Sequence, residues 1–181
     1  MKSLILHVLI DTKENEDVFR DIEISEDASL EELHDAILDA FDFKGDEMAS
    51  FFQCDEDWNK GQEYPQIGMD DEDDLPSMAN STVDDLFGGV GDKAIYTYDF
   101  LRMWNFLIEV INTKPIKTDK GLPKVLLSVG KAPKEHSRDV NDTPNFEADP
   151  NYSDDNFDWD NDDDEFEDEG DYESFDDDYR Y

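Results

Sequence analysis

The chain has 181 residues and carries 51 acidic against 15 basic residues, a formal net charge of −36 at pH 7. A field of that sign repels polyanions, so we expect neither nucleic acid nor an anionic membrane surface to bind the intact chain directly. Cationic partners are compatible with it, namely a basic protein surface or metal ions.

Cys54 is the single cysteine, which excludes an intramolecular disulfide and suits a reducing compartment. The apolar run at residues 3–11 is too short for a secretion signal, and acidic residues follow it at once. No segment approaches the roughly 20 apolar residues of a membrane span. A cytoplasmic location is therefore expected.

The first elements in chain order are two strands and a helix. Residues 4–10 form a compact apolar run and residues 18–24 alternate, so together they predict a hairpin. Ser29 followed by Glu32 is a capping box that opens a helix. The helix carries an apolar stripe at Leu30, Leu33, Ile37, Ala40 and Phe41. Gly45 is predicted to supply its left-handed stop.

The middle of the chain is less regular. Residues 49–54 predict a third strand, and residues 55–80 lose periodicity and predict a long irregular loop. Ser81 and Thr82 are each followed by an acidic residue three positions later, a pattern that opens a short helix. Gly88 and Gly89 end it.

The most apolar and aromatic run spans residues 93–112 and predicts a central antiparallel pair. Residues 101–103 join the two strands, and residues 125–129 predict one more strand. Tyr96, Tyr98 and Phe100 fall on one face, and Trp104, Phe106, Ile108 and Val110 form a second row. The fold class is α+β: a mixed, mainly antiparallel sheet with one long and one short helix packed on it.

Charge divides the chain into two parts, a domain at residues 1–138 and an acidic segment at residues 139–181. The segment holds 20 acids and a single base, Arg180, with nine aromatic residues among them, and is predicted to be a disordered tail. Residues 113–138, which we call the basic belt, carry seven bases against two acids.

Three pieces of the domain resemble the plasmid pRiA4b ORF-3-like family, whose members are also labelled passengers of IS1096-type mobile elements. The pieces are Leu30 with LHDAI at residues 33–37, STVDDLF at residues 81–87, and Tyr98-Asp99-Phe100 with Trp104. The resemblance covers about residues 1–138 and implies an α+β fold. The family has no agreed activity, so no function follows from it.

This chain departs from the family pattern at polar positions. Leu101-Arg102 replaces a Gly-Asp pair, Phe106 replaces a histidine, and residues 133–136 keep only a remnant of the family's Pro-rich acidic ending. Any family site built from those polar residues is therefore mostly lost here.

Two readings are open for the candidate site residues. His34 sits at the edge of the helical stripe, where it is either hydrogen-bonded to backbone or solvent or paired with Asp99 in a catalytic site. Asp99 either caps a turn while Trp104 fills the core, or both form a recognition surface with an exposed Arg102. No cofactor is predicted.

The acidic tail contains a spacing that resembles a calcium loop. Its carboxylates are Asp158, Asp160, Asp162, Asp164 and Glu169. Asp163 stands where the loop needs glycine, so only weak, nonspecific binding of divalent ions is expected.

Two functional hypotheses follow. The first is a non-enzymatic interaction module whose acidic tail engages a basic protein surface or shields the basic belt, with nucleic-acid mimicry as one form of that engagement. The alternative is a small enzyme with a His34/Asp99 site between helix and sheet.

Overall fold

The computed structural model describes residues 1–12, 17–67 and 75–139. The strands there are β1 (Lys2–Ile10), β2 (Val18–Ser25), β3 (Ala49–Cys54), β4 (Lys60–Pro65), β5 (Lys93–Tyr98), β6 (Trp104–Pro115) and β7 (Lys124–Val129). The helices are α1 (Leu30–Phe41) and α2 (Val83–Leu86). The predicted α+β class, with one long and one short helix, is confirmed. The predicted disordered tail lies outside the described residues.

The described strands form a seven-stranded sheet in the order β4-β3-β5-β6-β1-β2-β7, in which every neighbouring pair is antiparallel. Side chains alternate between the two faces of a strand, so one face of β1 and β6 is buried at every second position. The buried residues of both helices share a hydrophobic core with that face. No helix in the described ranges has the length and apolar character needed to cross a membrane.

The central antiparallel pair is confirmed. Tyr96 lies opposite Phe106 and Tyr98 opposite Trp104, and all four side chains are buried. Phe100, predicted on the same face as the two tyrosines, is instead 44% exposed. The prediction is wrong because β5 ends at Tyr98 and the next residue turns into a left-handed conformation, which breaks the alternation.

Helix α1 begins as predicted and ends earlier than predicted. The Ser29 hydroxyl accepts a hydrogen bond from the backbone amide of Glu32, and the Glu32 carboxylate accepts one from the amide of Ser29. The left-handed residue that closes the helix is Asp42, with φ of 59°, and not Gly45. Aspartate tolerates this conformation better than most side chains do, so glycine was not required at the helix end.

Strand β4 lies inside the stretch predicted to be an irregular loop. Its sequence, KGQEYP, buries only Tyr64 well, so it shows no apolar alternation. An edge strand with one unpaired side and polar side chains leaves no periodic signal in the sequence. The prediction of a continuous loop over residues 55–80 is therefore wrong.

Substitution of Phe106 tests the assignment of the hydrophobic core. Its ring packs 5.0 Å from that of Phe41 and 5.4 Å from that of Tyr96, measured between centroids. We expect Phe106→Ala to lower the free energy of unfolding by about 3–5 kcal/mol, because it leaves a cavity in a fully buried cluster. Phe100→Ala is the matched control and should change it by less than about 0.5 kcal/mol. Chemical denaturation measures both, and equal losses would contradict this assignment of the core.

Candidate functional site

The segment that follows β7 lies against the end of the central pair. We call residues 131–139 the strap. The Tyr98 hydroxyl donates a hydrogen bond to the Glu135 carboxylate, and the Trp104 indole N–H donates one of 2.8 Å to the Glu135 carbonyl. The Arg138 guanidinium stacks over the Trp104 ring at 4.2 Å. Two aromatic residues of the sheet therefore hold the strap.

The buried carboxylate of Glu135 accepts hydrogen bonds from two donors. It accepts from the Tyr98 hydroxyl and from the backbone amide of Lys44, the latter at 3.0 Å. Burial acts to raise the pKa of Glu135, but the hydrogen bonds from Tyr98 and Lys44 act the other way and leave the pKa below its ordinary value. Burial and the nearby carboxylate raise the pKa of Tyr98. Tyr98 therefore keeps its proton and Glu135 its charge at neutral pH.

The Asp99 turn is the next part of this corner. Asp99 has φ of 55° and is 1% exposed, and one carboxylate oxygen accepts from the backbone amides of Leu101 and Arg102 at 3.1 Å each. The other oxygen binds the Arg102 guanidinium at 2.8 Å. That hydrogen bond raises the pKa of Arg102. The interpretation that Asp99 caps a turn agrees with this geometry.

The prediction of an exposed Arg102 is wrong. Its side chain is only 23% exposed, because the buried Asp99 carboxylate holds it. The structure brings Asp99, Arg102 and Trp104 to one corner, yet Asp99 and Trp104 are 1% and 3% exposed. A ligand at this surface could reach Arg102 and little else of the three.

His34 lies deeper than an edge position. It is 5% exposed, its Nδ1 lies 2.7 Å from the Tyr96 hydroxyl, and its Nε2 faces the Gln66 amide at 3.4 Å. Its partners are side chains and not the backbone or solvent that the sequence suggested. Burial lowers the pKa of His34, so the ring is neutral at pH 7.

The structure does not join His34 to Asp99. Across the described residues no hydrogen bond links them, since His34 contacts Tyr96 and Gln66 while Asp99 contacts its own turn. A general base must reach the proton that it removes. The catalytic pair predicted for the alternative hypothesis therefore receives no support from the geometry.

An open cleft of about 740 Å³ lies between the end of α1 and the strap. Its lining includes three exposed lysines, Lys44, Lys131 and Lys134, together with the exposed side chains of His136 and Asp42. Within residues 1–12, 17–67 and 75–139, none of the three lysine ammonium groups forms an ion pair. The three lysines outnumber the exposed carboxylate of Asp42, so the rim is positive overall and available to an anionic ligand.

Arg20 lines the cleft without contributing a free charge. Its guanidinium donates to the carbonyls of Ala40 and Val129 at 2.9 and 2.8 Å, and it stacks over the Phe41 ring at 4.8 Å. Burial lowers the pKa of Arg20. It acts as a structural link between α1 and β7.

No group of three or more His, Cys, Asp or Glu side chains in the described part of the chain could hold a metal ion. The calcium-like spacing at Asp158, Asp160, Asp162, Asp164 and Glu169 lies outside the described residues. Sequence reasoning missed Glu135 and the cleft. The only signal was the remnant of the family ending at residues 133–136.

Glu135→Gln tests the strap contact. The folded-state pKa lies below that of the unfolded chain, so the carboxylate contributes stability above about pH 4.3, and the contribution is lost as pH falls through the folded-state pKa. We expect the variant to lose about 1–3 kcal/mol at pH 7 and to show a weaker loss of stability between neutral and acidic pH. Denaturation at several pH values measures this. Glu63→Gln, on the exposed edge of β4, is the control, and identical pH profiles would contradict the assignment.

His34 gives a spectroscopic prediction. Because burial disfavours the imidazolium, we expect an NMR titration to place the pKa of His34 below about 6.5. The pKa should stay low in Tyr96→Phe, since burial and not the hydroxyl is the main cause. A value at or above 6.5 in the unmodified chain would show that the ring is accessible and would revive a catalytic role.

Comparison with known proteins agrees with this fold. A crystal structure of a protein of unknown function, MM3350 from Methanosarcina mazei Go1, matches with a TM-score of 0.64 and 22% sequence identity over 77% of this chain and 76% of that one. No curated protein matches the chain. The sequence model of the plasmid pRiA4b ORF-3-like protein family matches residues 2–179, beyond residue 138 where the resemblance read from the sequence ends. The chain belongs to the plasmid pRiA4b ORF-3-like protein family.

Proposed function

We propose that this protein is a non-enzymatic interaction module. Its acidic and basic residues are concentrated in different parts of the chain, and it binds through these oppositely charged parts. The acidic segment at residues 139–181 engages a basic surface on a partner protein. In the absence of a partner, the same segment shields the basic belt. The family and the similar solved structure carry no stated activity, so the proposal depends on the charges and contacts of this chain.

The observation that carries the proposal is the rim of the cleft. Lys44, Lys131 and Lys134 have no ion-pair partner in the described ranges, although the chain has a net charge of −36. Grouped like charges repel one another, and an anionic chain at the cleft would relieve that repulsion. The 20 carboxylates of residues 139–181 are covalently linked to the strap, which keeps their effective concentration high.

The buried titratable groups favour binding over chemistry. The imidazole of His34 is neutral and enclosed, the Asp99 carboxylate is used by its own turn, and Glu135 is held by Tyr98 and Lys44. Each of these groups has its hydrogen-bonding capacity used inside the fold. Of the three, only Glu135 lines the cleft, and both of its carboxylate oxygens already accept hydrogen bonds from Tyr98 and Lys44.

The composition of the acidic segment fits recognition of a basic surface. Nine aromatic residues are spread among its acids, so carboxylates can supply long-range attraction while rings add contact area. The segment holds 20 acids against one base, so the basic site of a nucleic-acid-binding protein is one suitable partner surface.

The competition between belt and partner can be measured with the full chain. We expect Lys131→Glu/Lys134→Glu to bind a fluorescent oligolysine peptide several-fold more tightly at low salt, because the acidic segment is released from the cleft. Lys117→Glu/Lys120→Glu changes the charge by the same amount at exposed belt positions outside the cleft and is the matched control. If both variants change affinity equally, total charge and not the cleft is responsible, and if neither does, shielding at the cleft is excluded.

Shielding also predicts a hidden anion site. A chain ending at Pro144 should retard DNA or RNA in a gel at low salt, whereas the full chain should not. Lys131→Glu/Lys134→Glu in the shortened chain should remove the shift. Absence of a shift at every concentration of the shortened chain would rule out a shielded polyanion-binding surface.

A further inference from the structure

Strand β7 is an open edge of the sheet. It pairs with β2 on one side, and among the described residues no strand pairs with its other side. Edge strands expose unpaired N–H and C=O groups, which are a template for another strand.

The two edges of the sheet differ in how they are protected. Strand β4, at the other edge, carries charged side chains and ends in Pro65, features that discourage further pairing. Strand β7 has a charge only at its first residue, Lys124, and no proline. Its large apolar side chains are 36–46% exposed, and they are Val125, Leu126, Leu127 and Val129.

The face of the sheet that carries no described helix has an apolar row that leads to this edge. Its residues lie opposite one another in six adjacent strands, and most are half-buried. From β3 to β7 they are Phe52, Ile95, Leu107, Leu9, Phe19 and Val129. A strand added beside β7 would extend this row by one more apolar side chain.

The charges that flank β7 determine which kind of strand could pair with its open edge. Lys120 and Lys124 precede or open the strand, and Lys131 and Lys134 follow it. A second copy of this chain would bring the same lysines to the same edge and be repelled. An acidic strand would be attracted by these lysines at short range, although the net charge of −36 repels it at long range.

We propose that the β7 edge is a docking site for an extended acidic peptide of a partner protein, which binds as an added antiparallel or parallel strand. Its backbone would complete the hydrogen bonds of β7, apolar residues at alternate positions would contact Leu127 and Val129, and its carboxylates would meet the flanking lysines. The occupant differs from that of the proposed function, in which the chain's own acidic segment is the ligand, although both use Lys131 and Lys134.

The test titrates the full chain with a fluorescent peptide of alternating valine and glutamate. The control peptide has the same sequence with backbone N-methyl groups on alternate residues, which keeps the side chains and charge but removes the donors of one edge. We expect binding of the first peptide and roughly ten-fold or weaker binding of the second, because the added strand loses its backbone hydrogen bonds. Hydrogen exchange should show β7 amides becoming protected only with the unmodified peptide.

Each other result contradicts the proposal. Equal affinity for both peptides would mean that charge alone attracts them, and no binding would mean that the edge is closed. Protection of β7 before any peptide is added, lost in Phe157→Ser/Trp159→Ser, would identify the chain's own acidic segment as the occupant. Protection that rises with protein concentration would identify a second copy. The comparison of the two peptides reports on backbone pairing at β7, so it is read separately from the response of oligolysine binding to Lys131 and Lys134.

Discussion

A carboxylate taken out of water must receive its hydrogen bonds from the fold, and Glu135 receives them from two distant parts of the chain. The Tyr98 hydroxyl reaches it from the end of β5, and the amide of Lys44 reaches it from just beyond α1. The Trp104 indole meanwhile fixes the neighbouring backbone. Because these contacts hold the strap in place, they also create the wall of the cleft that carries Lys131 and Lys134.

The same corner explains why the conspicuous residues of the YDF segment are structural. Asp99 and Arg102 form an ion pair within one tight turn, and Trp104 is covered by Arg138. A recognition surface made of these residues would have to break contacts that keep the turn and the strap together. Lys131 and Lys134 lie beside this corner, and a ligand could reach them without breaking those contacts.

Local patterns were enough to predict part of the structure. The Ser29 and Glu32 capping box and the alternation around Tyr96 and Phe106 are encoded within a few residues, so the sequence predicted both correctly. Strand β4 was missed because a polar edge strand has no apolar period. Glu135 was missed because its partners lie 37 and 91 residues away, and no short motif records such a contact.

Arg20 connects the end of β7 to the basic cleft. Its guanidinium holds the carbonyl of Val129 at the end of β7 and that of Ala40 in α1, while its side chain lines the cleft. The β7 edge and the basic cleft are thus connected by the hydrogen bonds of the Arg20 side chain. If a ligand at β7 displaced the Val129 carbonyl it would disturb this link, and thermodynamic linkage would require any effect of cleft binding on β7 to have the same size. Binding of a peptide at the β7 edge and binding of an anionic segment in the cleft would then be coupled through Arg20.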